Sequence, residues 1–367
     1  MIADTPATAA PFHIRRMEAV RRKAEKEGLE ALLVTSLQNV RYLTGFSGTA
    51  GTVLVTMDGA FFLTDFRYTT QATLEVHSAK VVESKELLAS VQSILVEKKI
   101  KKLGFESEKV TYYRAGEMKQ KFAGVELLPV KDMVESVRII KDEPEMEAFK
   151  WLIGILADTF GDALSLIKPG ARERDIAVEL EYLLRKRGAD GPAFDFIVAS
   201  GPRSAMPHGV ASSKTVAAGE LVTLDWGAKG RGYHSDNTRT VSVGKVDKEL
   251  EKIYNLVLEA NLAGIQAVKP GVTVKQVDDA ARKLITDAGY GEAFGHGTGH
   301  GVGLDIHEKP AVSWRDETVV EEGMVFTIEP GIYLPGKGGV RIEDMVAVTK
   351  TGCEVLSDSL PKTFMVI

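Results

Sequence analysis

Four carboxylates and one imidazole stand in or beside apolar runs of the C-terminal half: Asp225, Asp236, His300, Glu329 and Glu343. Asp225 ends Leu221–Leu224, Asp236 precedes Thr238–Val243, and Glu343 lies within Val340–Val348. An unpaired charge is expensive to bury in such surroundings. A pair of divalent cations bridged by carboxylates would compensate it and would also activate a water near neutral pH. The chemistry these residue types point to is metal-assisted hydrolysis. Oxygen ligands with one imidazole favour Mn2+, with Co2+ or Zn2+ as alternatives, over a thiolate-type zinc site.

Each residue alone has a plainer reading. An isolated Asp is usually a turn or cap residue, and a Glu beside Arg341 on one strand face is usually an ion pair. An internal repeat separates these cases. Lys168-Pro169-Gly170 recurs as Lys269-Pro270-Gly271, and each is followed by a helix pattern, Ile176, Leu180, Leu183 and Leu184 against Val277, Ala281, Leu284 and Ile285. Gly188 and Gly289 close these helices as left-handed caps. Gly191, Ala193 and Phe194 match Gly291, Ala293 and Phe294, and Gly219–Gly227 aligns with Gly323–Gly331. Asp225 and Glu329 then fall on equivalent positions, with Asp236 and Glu343 approximate equivalents. Two similar halves can each offer a pair of carboxylates to a shared centre.

The positioning elements follow from the pattern. The Gly-rich turn between Asp225 and Asp236 suits two antiparallel strands. The segment Gly295–Glu308 carries His296, His300 and His307 among so many glycines that close approach to a ligand or another backbone is expected. No second histidine follows His307-Glu308 at helix spacing, since position 311 is Ala311, so the zincin motif is absent. The glycines match no Walker or dinucleotide fingerprint either. His208, in Met206-Pro207-His208-Gly209, is a further candidate; His13, His77 and His234 read as structural, and Cys353 as a small packing residue.

Ahead of these motifs, Ile14–Val137 alternates helices and strands. Arg15–Glu27 reads as a charged helix closed by Gly28, Ala31–Val34 as a buried strand, and Thr52–Leu63 as a hairpin around Met57-Asp58-Gly59. Ile100–Phe105 and Val125–Val130 read as further strands. Lys141-Asp142-Glu143-Pro144 punctuates the chain, with Pro144 suited to the first turn of a long helix. The expected domains are 1–140 and 141–367. The 367 residues carry a net charge of −5 and no basic block, which excludes nucleic acid as an expected partner. A single cysteine fits a reducing compartment, and no apolar run reaches membrane-spanning length, so the cytoplasm is expected. Met1–Phe12, rich in Ala and Pro, reads as a frayed tail without signal-peptide character.

The chain resembles the pita-bread metallopeptidases, the creatinase, aminopeptidase P and prolidase family. The resemblance rests on Asp225-Trp226-Gly227, Ser235–Thr240, His300–Gly303 with His307-Glu308, Glu329-Pro330-Gly331 and Gly339–Asp344, and in the first half on Asn39–Phe46 and Thr64–Tyr68. It implies an α/β N-terminal domain of creatinase type, as in proline-specific members, and an α+β pita-bread domain with a pseudo-two-fold repeat. It further implies a dinuclear exopeptidase acting on proline-containing peptides. Asp225, Asp236, His300, Glu329 and Glu343 would be the ligands, with Asp236 and Glu343 bridging. Glu329 would act as general base, His208 and His307 would stabilise charge on the carbonyl oxygen, and Arg341 would hold the acidic cluster. A homodimer in which one N-domain shapes the partner's site is implied as well. Prolidases of this type carry an arginine just after His-Glu-x-Pro to take the product carboxylate. Here Ala311-Val312 follow and the nearest arginine is Arg315, with Lys309 and Arg67 as other cations. That departure favours Xaa-Pro aminopeptidase over Xaa-Pro dipeptidase. A creatinase-like metal-free hydrolase or a non-catalytic binding protein would have lost ligands that are intact here.

Overall fold

The computed structural model describes residues 10–367. It falls into two compact units that divide between Arg138 and Ile139. The first is a six-stranded sheet in the order Lys80–Glu83, Gly59–Thr64, Thr52–Thr56, Ala31–Val34, Lys102–Glu106 and Glu126–Val130. Ala31–Val34 runs antiparallel to one neighbour and parallel to the other. All its residues are buried, which is why it reads as continuously apolar instead of alternating. The hairpin forms with Thr56 opposite Gly59.

Two local expectations change. The first helix begins at Ala10, not Arg15, so Ala10–Phe12 are helical and not tail. Pro11 is compatible with that start because the first turn needs no N–H from it. The rest of the expected tail, residues 1–9, lies outside the described residues. Lys80–Glu83 is a strand the sequence did not announce. It sits at the sheet edge with charged ends, where apolar periodicity is weak.

The second unit opens with the helix Glu143–Leu166, started by a reciprocal capping box between Asp142 and Glu145 with Pro144 in the first turn. The repeat is built as read in its helices, left-handed glycines and strand pairs, but Gly191–Pro192 is a short strand where Gly291–Ala293 is a 3-10 turn. Helices Glu173–Lys186 and Val274–Asp287 correspond, and left-handed glycines recur in pairs: Gly170 and Gly271 (φ +88° and +90°), Gly188 and Gly289 (+101° and +86°). In one half Glu220–Trp226 pairs antiparallel with Asn237–Val243; in the other Val325–Ile328 pairs antiparallel with Asp344–Val348. Helix Lys248–Ala267 packs Ile253, Tyr254 and Val257 into a core with Leu221, Ile332 and Val340.

The expected single strand over Val340–Val348 is corrected. Gly338–Arg341 pairs with Gly331–Leu334, whereas Asp344–Val348 belongs to a five-stranded sheet, and the chain changes sheets at Ile342-Glu343. The cause is visible in the backbone bonding of Glu343. Its N–H donates to Thr238 O at 3.1 Å, and its carbonyl accepts from the Asn237 amide and the Arg239 guanidinium. The first half's strand therefore captures Glu343 and aims its carboxylate between the halves.

Candidate metal centre

Asp225 lies next to the end of its strand, directly opposite Thr238 in the antiparallel register. Asp236 immediately precedes the partner strand, and the Gly-rich connection, itself a short hairpin of Ala228–Gly230 against Tyr233-His234, returns it to the same end. The Thr238 hydroxyl donates to Glu343 Oε2 at 2.7 Å and accepts from Arg341 Nε at 3.1 Å. Arg341 Nη2 donates to Asp225 Oδ2 at 2.5 Å. One threonine and one guanidinium thus tie the first half's Asp225 to the second half's Glu343.

His300 sits on the short strand Gly299–Gly301. Its N–H donates to Thr327 Oγ1 at 3.0 Å, and its Nδ1 lies 3.1 Å from Gly301 O. With Nδ1–H spent on that carbonyl, Nε2 keeps a lone pair for a cation. Nε2 faces the acids, 3.5 Å from Asp236 Oδ2 and 3.3 Å from Glu329 Oε1. Glu329 is fixed by Thr327 Oγ1 at 3.1 Å and by its own N–H to Thr298 O at 2.6 Å. The glycine beside His300 is required by contact: a Cβ on Gly299 would stand 1.9 Å from Thr327 O.

All of the expected site residues line one cavity of 420 Å³: Asp225, Asp236, His300, Glu329, Glu343, Arg341, His208 and His307. Asp236, His300 and Glu343 each offer a ligand atom within 4.8 Å of the others. His208 and His307 are exposed at the cavity, and the His307 ring stands 4.2 Å from that of His300. The His208 side chain has no hydrogen-bond partner among the described residues.

The electrostatics leave the site short of positive charge. Asp225, Asp236 and Glu343 are at most 8% exposed. Burial, then their mutual repulsion with Glu329, pushes Asp236 well above the ordinary carboxylate range, and burial with Asp236 does the same to Glu343. Burial also raises Asp225, against the opposing pull of Arg341. Arg341 is buried too, yet Tyr333, Asp225 and Glu329 hold it charged, well above its usual value. One guanidinium cannot neutralise four carboxylates. Asp225 Oδ1 and Glu343 Oε1 are buried with no hydrogen-bond partner. Orphaned carboxylate oxygens at zero exposure are costly unless something electropositive meets them. An oxygen-rich set with one imidazole nitrogen fits hard or borderline divalent ions.

Sequence reasoning missed a relay behind Asp225. Arg341 Nη1 donates to Tyr333 Oη at 3.0 Å, and Tyr333 Oη stands 2.8 Å from His296 Nε2. His296 carried a hint, being in the glycine-histidine segment, but Tyr333 looked like an ordinary strand aromatic. Phe194 and Asp195 line the cavity as well, although Phe194 had served only to align the repeat. His234, read as structural, is buried with Nδ1 3.1 Å from Gly303 O, and burial lowers its pKa.

Known proteins resemble this chain in both units. The profile of metallopeptidase family M24 matches residues 150–350, and that of the creatinase/prolidase N-terminal domain matches residues 16–140. A Xaa-Pro dipeptidase of Pyrococcus horikoshii is 42% identical over 335 residues, covering 91% of this chain and 94% of the relative. Among solved structures, a Xaa-Pro dipeptidase from Bacillus anthracis superimposes with a TM-score of 0.95 at 43% identity, covering 97% of this chain and all of the other. An X-Pro aminopeptidase from Thermotoga maritima gives 0.88 at 39% identity, covering 94% of this chain and all of the other. With both halves matched and the fold shared over nearly its whole length, this chain belongs to metallopeptidase family M24, in its branch with a creatinase/prolidase N-terminal domain.

Proposed function

We propose that this chain is a dinuclear Xaa-Pro aminopeptidase that removes an N-terminal residue from a following proline, with Mn2+ as its working ion. The observation that carries the reading is the cavity itself, in which Asp236 Oδ2 and Glu329 Oε1 face His300 Nε2 while Asp225 Oδ1 and Glu343 Oε1 are buried without a hydrogen-bond partner. Two divalent ions held by Asp225, Asp236, His300, Glu329 and Glu343 would supply positive charge for a scissile carbonyl and acidify a water.

The chain's own residues do the rest. Glu329, half-buried and held by Thr327, takes the water's proton. His208 and His307 donate to the carbonyl oxygen as charge develops. Burial and the neighbouring His300 lower the His307 pKa, so at neutral pH it acts as a neutral donor. Arg341 pulls the Asp225 pKa down against the effect of burial and orients its carboxylate. Proline offers no N–H to read. Its ring meets the apolar part of the lining, Phe194, Ile197, Val210 and Ile306.

Aminopeptidase action is supported by the cations. Among the described residues Arg341 is the one lysine or arginine lining the cavity, and its donors go to Asp225, Tyr333, Thr238 and Pro207 O. Arg315 is exposed, stacked over Trp314 at 5.2 Å. A second reading, strict Xaa-Pro dipeptidase, is favoured by the relatives from Pyrococcus horikoshii and Bacillus anthracis that carry that name. Parallel assays of a Xaa-Pro dipeptide and a Xaa-Pro-Xaa tripeptide decide. Cleavage of the tripeptide supports the first reading; cleavage of the dipeptide alone establishes the second. A protein that binds no divalent ion and shows no metal-dependent hydrolysis overturns both. We further read the working form as a cytoplasmic homodimer, which the lone Cys353 supports as to compartment and light scattering tests as to assembly.

A further inference from the structure

Two buried carboxylates outside the cavity stand in the same relation to the two loops that carry its histidines. Glu173 is the first residue of its helix and is fully buried. Its Oε1 accepts from Ser200 N and Oγ, both at 2.8 Å, and its Oε2 accepts from Ser212 N at 3.1 Å and Ser212 Oγ at 2.6 Å. Arg203 pairs with the same Oε2 and donates from Nη2 to Val210 O at 2.8 Å. One carboxylate therefore fastens both ends of the segment 200–212, and its arginine fastens the middle. That segment presents His208.

In the second half, Asp278 is fully buried on the corresponding helix. Its Oδ1 accepts from Thr298 N at 3.0 Å and Thr298 Oγ1 at 2.7 Å. Arg282 forks onto it, with Nε to Oδ2 at 2.7 Å and Nη2 to Oδ1 at 2.8 Å. Arg282 then donates to Phe294 O at 3.0 Å and His296 O at 2.6 Å. Thr298 in turn receives the Glu329 N–H on its carbonyl. This loop presents His296 and His300.

The parallel is chemical. In each half a helix carboxylate takes the N–H and the hydroxyl of loop residues, two in the first half and one in the second, and an arginine paired with it reaches one or two loop carbonyls. A second-half site so held would lose little by being rigid, because a loop that presents a ligand must already be ordered when the ligand arrives. His208 has special need of it, since its side chain makes no hydrogen bond among the described residues that could orient it.

We propose that Glu173 and Asp278 are positioning residues, Glu173 for His208 and Asp278 for His300 with Glu329. The proposal rests on the functional reading above. It assigns the two residues different signatures. Glu173→Gln keeps the side chain's shape but replaces one acceptor oxygen by an amide, setting it against the Ser200 or Ser212 donors. It should lower kcat about 10–100-fold, the range for partners of this kind, with Mn2+ affinity unchanged. Asp278→Asn should instead weaken Mn2+ binding about 10–100-fold.

The experiment combines a double-mutant cycle with calorimetry. Glu173→Gln is measured alone and in the His208→Ala background with a Xaa-Pro-Xaa peptide, and Mn2+ is titrated into metal-free wild type, Glu173→Gln and Asp278→Asn. In the His208→Ala background the Glu173→Gln effect should shrink to under about twofold, because coupled residues do not add. An undiminished effect there, or Mn2+ binding by Asp278→Asn as tight as wild type, overturns the proposal. If His208→Ala leaves kcat unchanged, the role given to His208 fails. The His208 ring resonance of the metal-free protein then still decides: its shift moves in Glu173→Gln if the loop is held as described, and an unmoved resonance refutes it. Should Glu173→Gln fail to fold, Ser212→Ala removes a single hydroxyl donor and should show the same coupling at smaller size.

Discussion

Replacing Glu343 by Gln should move the stability of this protein in opposite directions with and without metal. Glu343 is 1% exposed, with Oε2 bonded to the Thr238 hydroxyl and Oε1 without a partner. Burial, then Asp236, Glu329 and Asp225, raises its pKa well above 4.5 in the folded protein. A raised folded pKa means that the native state holds its proton where the unfolded chain has released it. The stability contributed by that proton is complete below about pH 4.5 and is lost as pH rises through the folded pKa. Each unit between the two pKa values is worth about 1.4 kcal/mol. Gln has no charge to bury, its amide oxygen can keep the Thr238 bond, and its NH2 faces the Asp236 side. Once the carboxylate is ionised, relief of its partnerless buried oxygen is worth about 1–3 kcal/mol.

In EDTA, urea unfolding should therefore find Glu343→Gln equal to wild type near pH 4.5 and more stable at pH 7–8 by about 1–3 kcal/mol. The advantage should grow by no more than about 1.4 kcal/mol per pH unit. With Mn2+ in hundredfold excess over its dissociation constant, wild type should gain about 2.7 kcal/mol. The variant, short of a ligand, should gain much less, and hydrolysis should collapse. A variant that is less stable than wild type in EDTA at pH 8, or a difference that ignores pH, would show that Glu343 is not the uncompensated charge the geometry makes it.

Other perturbations test the supports of the site. Arg341→Met breaks the buried pair with Asp225 and should cost about 3–5 kcal/mol in metal-free unfolding at pH 7; a loss under 1 kcal/mol would refute its role as the internal counter-charge. Lys141→Met strips Glu308 of a buried partner at 2.7 Å, the two side chains being 1% and 9% exposed. A similar cost of about 3–5 kcal/mol is expected in the same assay, together with a lower kcat because Glu308 follows His307. Gly299→Ala would force a Cβ into Thr327 O, so calorimetry should find Mn2+ binding lost or weakened at least tenfold; unchanged binding would mean that the strand can shift without moving His300.

The sequence displayed the repeat because repetition leaves marks that chemistry cannot disguise. Left-handed backbone admits few residues other than glycine, so Gly170 and Gly271 or Gly188 and Gly289 announce equivalent turns before any fold is known. Burial also leaves marks, and the fully buried Ala31–Val34 is plain in the chain. Edges do not, which is why Lys80–Glu83 passed unnoticed. The break at Glu343 was hidden for a different reason. Val340–Val348 alternates like one strand, and nothing local says that Thr238, Asn237 and Arg239, over a hundred residues away, take the Glu343 backbone hydrogen bonds that a neighbouring strand would otherwise supply.

The same distinction runs through the site. Residue type and apolar context drew attention to the four acids and His300, because a charge in a strand needs a reason, and the internal repeat set the acids apart from ordinary turn and ion-pair residues. They could not reveal which neutral or cationic groups hold those acids still. Thr238 bridges Arg341 and Glu343, Tyr333 links Arg341 to His296, and Asp278 fixes the loop before Glu329, all through contacts between distant segments. A threonine in a strand, a tyrosine in a hairpin and an aspartate paired with an arginine one helical turn on are each ordinary locally. Their significance lies in the fact that the two halves meet with like charges facing each other. Such a meeting is stable only if each acid is held in place by its own half or by the other, and if what remains of the negative charge is met by cations that the acids themselves select.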